Sequence, residues 1–148
     1  MADTFALDIA NFAKKAGANV EQVVRKTTGH LLASVVLRTP VGNPSLWKNK
    51  PPAGYVGGRL RGNWNVSIGQ ADLTTTLVRD QSGGATIARG GNAVAKWKSG
   101  DIYVMNSLPY VRAIEYDGHS KQAPAGMVRI TVTEFQTFVA QAANEVAK

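Results

Sequence analysis

The chain has 148 residues, 44% of them apolar, and carries 17 basic against 10 acidic side chains, a formal net charge of +7. That length is expected to make one domain, and the apolar content is enough for a core, which excludes intrinsic disorder. The absence of cysteine excludes a disulfide framework, a thiolate zinc site and a thiol nucleophile.

Met1-Ala2-Asp3-Thr4 does not start a basic-then-apolar leader, and no stretch approaches the roughly 18 apolar residues of a membrane span, so the chain reads as soluble and unexported. A first helix is expected over about Thr4 to Ala16, where Phe5, Ile9, Phe12 and Ala16 share one face and Gly17 ends the run. Asn19, with Gln22 three residues on, is a capping-box start for a second helix. Val20, Val23, Val24, Thr27, Leu31 and Val35 carry it to about Arg38, and Pro40 stops it. Gly29 inside this helix reads as a bend or a close helix approach. From Pro40 to Gly62, Pro and Gly replace apolar periodicity, the mark of a long functional or mobile loop.

Alternation returns at Asn63 to Gly69, with Trp64, Val66 and Ile68 on one side, and the β-branched run Leu73 to Val78 completes an expected hairpin. Gly83-Gly84 and Gly90-Gly91 read as turns around a short strand at Ala85 to Ala88, and Asp101 to Asn106 reads as a further strand. Pro109 to Glu115 suits one or two helical turns. The C-terminal stretch from Val128 to Val146 fits both periods. The β-branched residues Ile130 to Thr133 favour strand at 127–133, and the Ala-rich end favours helix from about Thr133. The fold expected is therefore α+β, a single domain over residues 1–148. It has two N-terminal helices, an antiparallel sheet of about four strands with a long Pro/Gly-rich loop, and a C-terminal helix.

Charge is concentrated. Residues 38 to 98 hold nine basic and two acidic side chains, so the whole surplus lies in the middle of the chain, with all three Trp and ten of the fifteen Gly. Such a segment suits a nucleic-acid backbone, through counterion release and base stacking, or a protein interface or solvated face. Catalytic groups are sparse. His30 sits among Leu31, Leu32 and Val35 and reads as a structural histidine. His119 has Asp117 and Ser120 beside it in sequence, but triads are built across a fold rather than along a turn. Neither HExxH nor a Walker loop is present, and the Gly pairs lack a dinucleotide fingerprint. Glu115 and Asp117 read as loop acids near Arg112 or Lys121. No catalytic residue, metal ligand or cofactor is assigned.

Two stretches carry a resemblance. Thr39-Pro40-Val41-Gly42, resumed at Gly57-Gly58-Arg59-Leu60-Arg61-Gly62-Asn63-Trp64, resembles the P-V-x-T-G-x-L-R signature of the tail-component family of long-tailed bacteriophages. The second runs from Asn106-Ser107-Leu108-Pro109-Tyr110 through Glu115 and Gly118 to Gln122-Ala123-Pro124-Ala125-Gly126-Met127-Val128-Arg129. It is similar to that family's Y-A-x-x-V-E-x-G block and its Q-A-P-x-G-M-V-R element. The sequence departs from the pattern in the insertion holding Trp47, Lys48 and Lys50, and in Asp117 before the usual Gly.

The resemblance implies a virion structural protein of the neck or upper tail, a head–tail joining or tail-completion component assembled in the host cytoplasm. It would form a ring of six or twelve identical subunits around the DNA channel. Its partners would be itself, other neck and tail proteins, and genomic DNA passing without sequence specificity, with no membrane role. Trp47, Lys48, Lys50, Tyr55, Arg59 and Arg61 would touch a neighbouring subunit or ring, with Trp47 and Tyr55 as anchors. Arg79, Arg89, Lys96 and Lys98 would face DNA. Pro40, Val41, Gly58, Leu60, Tyr110, Glu115, Gly118, Pro124 and Gly126 would be the family's structural positions. The competing readings are an independent basic nucleic-acid-binding protein and a small hydrolase using His119.

Overall fold

In the computed structural model, which describes residues 9–15 and 17–148, the longest helix begins where its capping signal lies. Helix α1 covers residues 9–15; Phe5 and the rest of the expected first helix lie outside the described residues. Helix α2, Val20–Arg38, starts at Asn19, whose Oδ1 accepts the Gln22 N–H at 3.2 Å, and has Glu21 in its first turn and Arg38 in its last, complementing the helix dipole. It stops at Thr39 and Pro40. A 3₁₀ turn, Pro44–Leu46, and a one-turn helix α3, Arg59–Gly62, interrupt the long loop. Then follow β1, Asn65–Ile68; α4, Gly84–Val94; β2, Ile102–Met105; α5, Val111–Tyr116; α6, Val128–Thr133; and α7, Phe135–Val146.

Two apolar clusters hang on α2. Leu32, Val35 and Val36 meet Leu60, Trp64, Leu108, Ala123 and Met127, while Val23, a few turns earlier, meets Ala13, Ala142 and Ala143. Helices α7 and α4 both pack on α2. The spine of the molecule is thus α2. The α2–α7 seam is edged by Lys26 and His30 against Glu145, at 3.3 and 3.2 Å. At the end of α2, Thr39 Oγ1 donates to the Val35 carbonyl (2.6 Å) and accepts from Trp64 Nε1 (2.8 Å), so the buried indole is satisfied.

The sheet is smaller than expected. Among the described residues it has two strands, β1 and β2, antiparallel with Asn65 opposite Met105 and Ile68 opposite Ile102. Three of the expected assignments fail for physical reasons. Residues 85–88 lie inside helix α4. Asp80 accepts the Gly83 N–H on one oxygen, and the Thr86 N–H and Oγ1–H on the other, each at 2.8 Å, which caps the helix where turn-forming glycines suggested a break. Gly90 is there for proximity: a Cβ would clash with Leu32 Cδ2 and come 2.9 Å from Val66 Cγ2. Gly29, by contrast, has no described residue within 4 Å of its Cβ position, so among the described residues it marks no close helix approach.

Residues 73–78 run beside β1 but form no backbone ladder with it. Asn65 Nδ2 reaches the Thr74 carbonyl (2.8 Å), and Asn63 Oδ1 accepts the Thr76 N–H (2.7 Å), so asparagine side chains fill the gap a ladder would close. Residues 128–133 form helix α6, not a strand. The Glu115 carboxylate accepts from the Met127, Val128 and Arg129 N–H groups at 2.7, 2.9 and 3.0 Å, supplying a cap from twelve or more residues away. Val128 and Val132 point outward, at 41% and 49% exposure, and Thr131 inward.

Candidate assembly surface

Both sequence motifs converge on the base of the long loop. Arg61 donates from Nε and Nη2 to the Thr39 carbonyl (3.0 and 2.7 Å), from Nη2 to Leu37 (3.2 Å) and from Nη1 to Gln81 (2.5 Å), tying the end of α2 to the start of α4. Burial lowers its pKa from the ordinary arginine value, and Asp80 opposes that. Gly58 adopts φ +103 with Asp80 and Gln81 backbone 2.9 Å from where a Cβ would stand, so only glycine fits. Its carbonyl accepts the Asp80 N–H at 3.0 Å. The second motif closes on the first: Asn106 Nδ2 donates to the Leu60 carbonyl (2.8 Å), and Gln122 Nε2 to Val41 (3.1 Å). Gly126 packs onto the Glu115 carboxylate, and Arg129 donates to both the Glu115 side chain and its carbonyl. Pro40 and Leu60 are buried; Gly118 and Pro124 lie exposed in the turn between α5 and α6.

Above this base the loop is pinched shut, because Gly57 packs on Val41 and Gly42, and the Tyr55 hydroxyl lies against Gly42. Its ends are therefore close, as in a compact surface loop. Trp47 and Tyr55 pack together at 4.6 Å with their planes tilted by 59°, yet remain 41% and 37% exposed. Leu46 and Val56 are exposed beside them, and a shallow depression of about 530 Å³ runs from this pair past Pro44 and Gly57 to Gln81 and Gln122. At Tyr110, burial raises the hydroxyl pKa, Arg59 opposes that, and Tyr55 adds to it.

The central cations divide into two groups. Arg61 is consumed by the fold, Arg59 donates to the Thr76 carbonyl (3.0 Å), and Arg89 donates to the carbonyls of Gly62 and Trp64 (both 3.0 Å). Arg38 pairs with Glu134 at 2.8 Å and Lys98 with Glu21 at 3.4 Å. The side chains of Lys48, Lys50, Arg79 and Lys96 are exposed and make no hydrogen bond or ion pair with a described residue. Arg61 and Arg89 are thus fold-building residues, which charge counting along the sequence could not distinguish from contact residues. No local sequence signal separates them, because the accepting carbonyls lie 20 to 27 residues away along the chain.

His119 is exposed, and among the described residues only its backbone N–H is bonded, to Ala113 (3.4 Å), while Ser120 Oγ accepts the Gln122 N–H (3.2 Å); Asp117, His119 and Ser120 do not converge. No group of three or more metal-ligating side chains gathers among the described residues, and no helix among them is long and apolar enough to cross a membrane. Compared with known proteins, the chain matches no family model, no curated protein and no solved structure.

Proposed function

We propose that this chain is a structural protein of a long-tailed bacteriophage virion, acting at the head–tail junction as a neck or tail-completion component in a ring of identical subunits around the DNA channel. The observation that carries the reading is the division of labour at the loop base. Arg61 and Gly58 have specific structural tasks there, and Glu115 and Gly126 have theirs at the start of α6. Beside them a closed loop offers Leu46, Trp47, Tyr55 and Val56 to the outside. Exposed aromatics on a braced loop are the usual anchors of a protein interface, and heterologous contacts that close by rotation make rings. The mechanism is assembly: the body holds the loop, the loop docks on a neighbouring subunit or an adjoining ring, and no substrate is turned over.

Lys48, Lys50, Arg79 and Lys96 are the free cations available to screen DNA in the lumen or an acidic partner. They also favour the second reading, a free-standing nucleic-acid-binding protein. W47A tests the first reading, with electron microscopy of particles: tailless heads or unjoined tails are expected, and normal infectious particles would refute the loop's role. A salt titration of DNA binding by the purified chain tests the second. Tight binding that weakens steeply with salt, in a chain absent from virions, would favour it over assembly.

A further inference from the structure

The sheet ends on two different unpaired edges. After β1 the chain turns at Gly69 and comes back alongside: Asp72 N–H meets Ser67 Oγ (3.1 Å), Asn65 Nδ2 meets the Thr74 carbonyl (2.8 Å), and Asn63 brackets Thr76 through its N–H (2.7 Å) and carbonyl (3.2 Å). Partners thus advance by two residues on each side, the register of an extended antiparallel segment. Every bond to the body is made at an even-numbered residue. Successive peptide groups of an extended chain face opposite edges, so those of Leu73, Thr75 and Leu77 face outward, and none has a partner among the described residues.

The other side is similar. The Gly69 N–H to Asp101 carbonyl bond (2.8 Å), with the β1–β2 register, places the hydrogen-bonded pairs at 69/101, 67/103 and 65/105. The backbone groups of Ile102 and Val104 therefore point away from β1, again without a partner among the described residues. In spatial order the ribbon is β2, β1, then 72–78. The outer row is unguarded: Leu73-Thr74-Thr75-Thr76-Leu77-Val78 contains no charge, Pro or Gly, and Leu73 and Leu77 are 64% and 73% exposed. Soluble proteins normally protect such edges.

We infer that the segment 73–77 of one copy pairs with the outer edge of β2 in the next copy, continuing the sheet from subunit to subunit. The occupant is a second copy because the two edges lie on opposite sides of one sheet: head-to-tail pairing satisfies both at once, whereas pairing 73–77 with itself leaves every β2 edge open. A six- or twelve-membered ring turns each neighbour by only about 60° or 30°. Within a copy, 72–78 and β2 both run antiparallel to β1, hence parallel to each other, so the contact between copies is parallel. This inference rests on the ring reading above and specifies which edges make the ring.

The test is a mixing experiment with T75P and I102P, each of which removes one outward N–H and leaves the inward bonds in place. Light scattering after size exclusion is expected to show a wild-type oligomer, each variant alone as a monomer with native circular dichroism, and their equimolar mixture as a 1:1 dimer, since each variant keeps the edge the other lost. L73K/L77K, changing only exposed side chains, is expected to lose assembly too and covers the case that a proline variant does not fold. Wild-type assembly by T75P or by L73K/L77K would overturn the edge pairing while leaving the ring reading intact. So would dimers of I102P alone, which would mean 73–77 pairs with itself, or dependence on an added extended peptide, which would mean another protein fills the edge. A wild-type chain that stays monomeric and is missing from particles would overturn both.

Discussion

Adjacent glycines on α4 are expected to respond oppositely to the same methyl group. Replacing glycine by alanine inside a helix gains about 1 kcal/mol through backbone entropy and solvation. At Gly91 nothing lies within 4 Å of the new carbon, so G91A keeps that gain. At Gly90 the carbon clashes with Leu32 Cδ2 and sits 2.9 Å from Val66 Cγ2, and Leu32 is fully buried, with no solvent side to retreat to. Overpacking of this kind costs about 1–3 kcal/mol. Because two elements close on the site at once, the upper half of that range applies, and the net loss for G90A is about 1–2 kcal/mol. For a chain of this size each kcal/mol moves Tm by about 2–4 °C, so thermal melts followed by circular dichroism should place G90A about 2–8 °C below wild type and G91A about 2–4 °C above it. G90A melting at or above wild type, or both variants shifting the same way, would refute the close approach of α4 to α2.

Acid should loosen the fold at two points. For Asp80 and Glu115, burial pushes the carboxyl pKa up, but hydrogen bonds from Thr86, Gly83 and Ser82, and from Arg129, Met127 and Val128, outweigh it and hold both below their ordinary values of 3.8 and 4.5. A pKa depressed by folding contributes stability above the unfolded value and loses it as pH falls through the folded one. Tm is therefore expected to drop below about pH 4.5, and the drop should be smaller in D80N and E115Q; an unchanged acid limb would contradict the capping role. E115A leaves three helix-start N–H groups without their acceptor and is expected to cost about 2–4 kcal/mol in urea unfolding. R61K keeps the charge but cannot span the Leu37, Thr39 and Gln81 carbonyls; a loss of about 1–3 kcal/mol is expected by the same assay. W47A should leave Tm within about 2 °C of wild type while abolishing incorporation into particles, since the ring is 41% exposed and packs, tilted, on Tyr55.

Where a structural signal is local, the amino-acid order alone is enough. Asn19, Gln22 and Pro40 bracket α2 because a cap and a stop act within a few residues, and the patterns at 63–69 and 101–106 mark both strands, whose Val66 and Val104 pack on the core. Pro109 likewise announces α5. The loop's exposed aromatics were legible for a similar reason, since Pro and Gly without apolar periodicity leave Trp47 and Tyr55 no core to enter.

Tertiary structure decided the rest, because the deciding partners are far apart in the chain. Residues 128–133 have a strand's composition, but a carboxylate at 115 caps them as a helix. Glycines 83, 84, 90 and 91 look like turns, yet Asp80 starts the helix and Leu32 requires the closeness at Gly90. Cations that look alike in sequence separate only when backbone carbonyls fold around Arg61 and Arg89 and leave Lys48, Lys50, Arg79 and Lys96 in water. Propensity is a bias of a fraction of a kcal/mol per residue, and a buried, hydrogen-bonded carboxylate or a filled core site exceeds it.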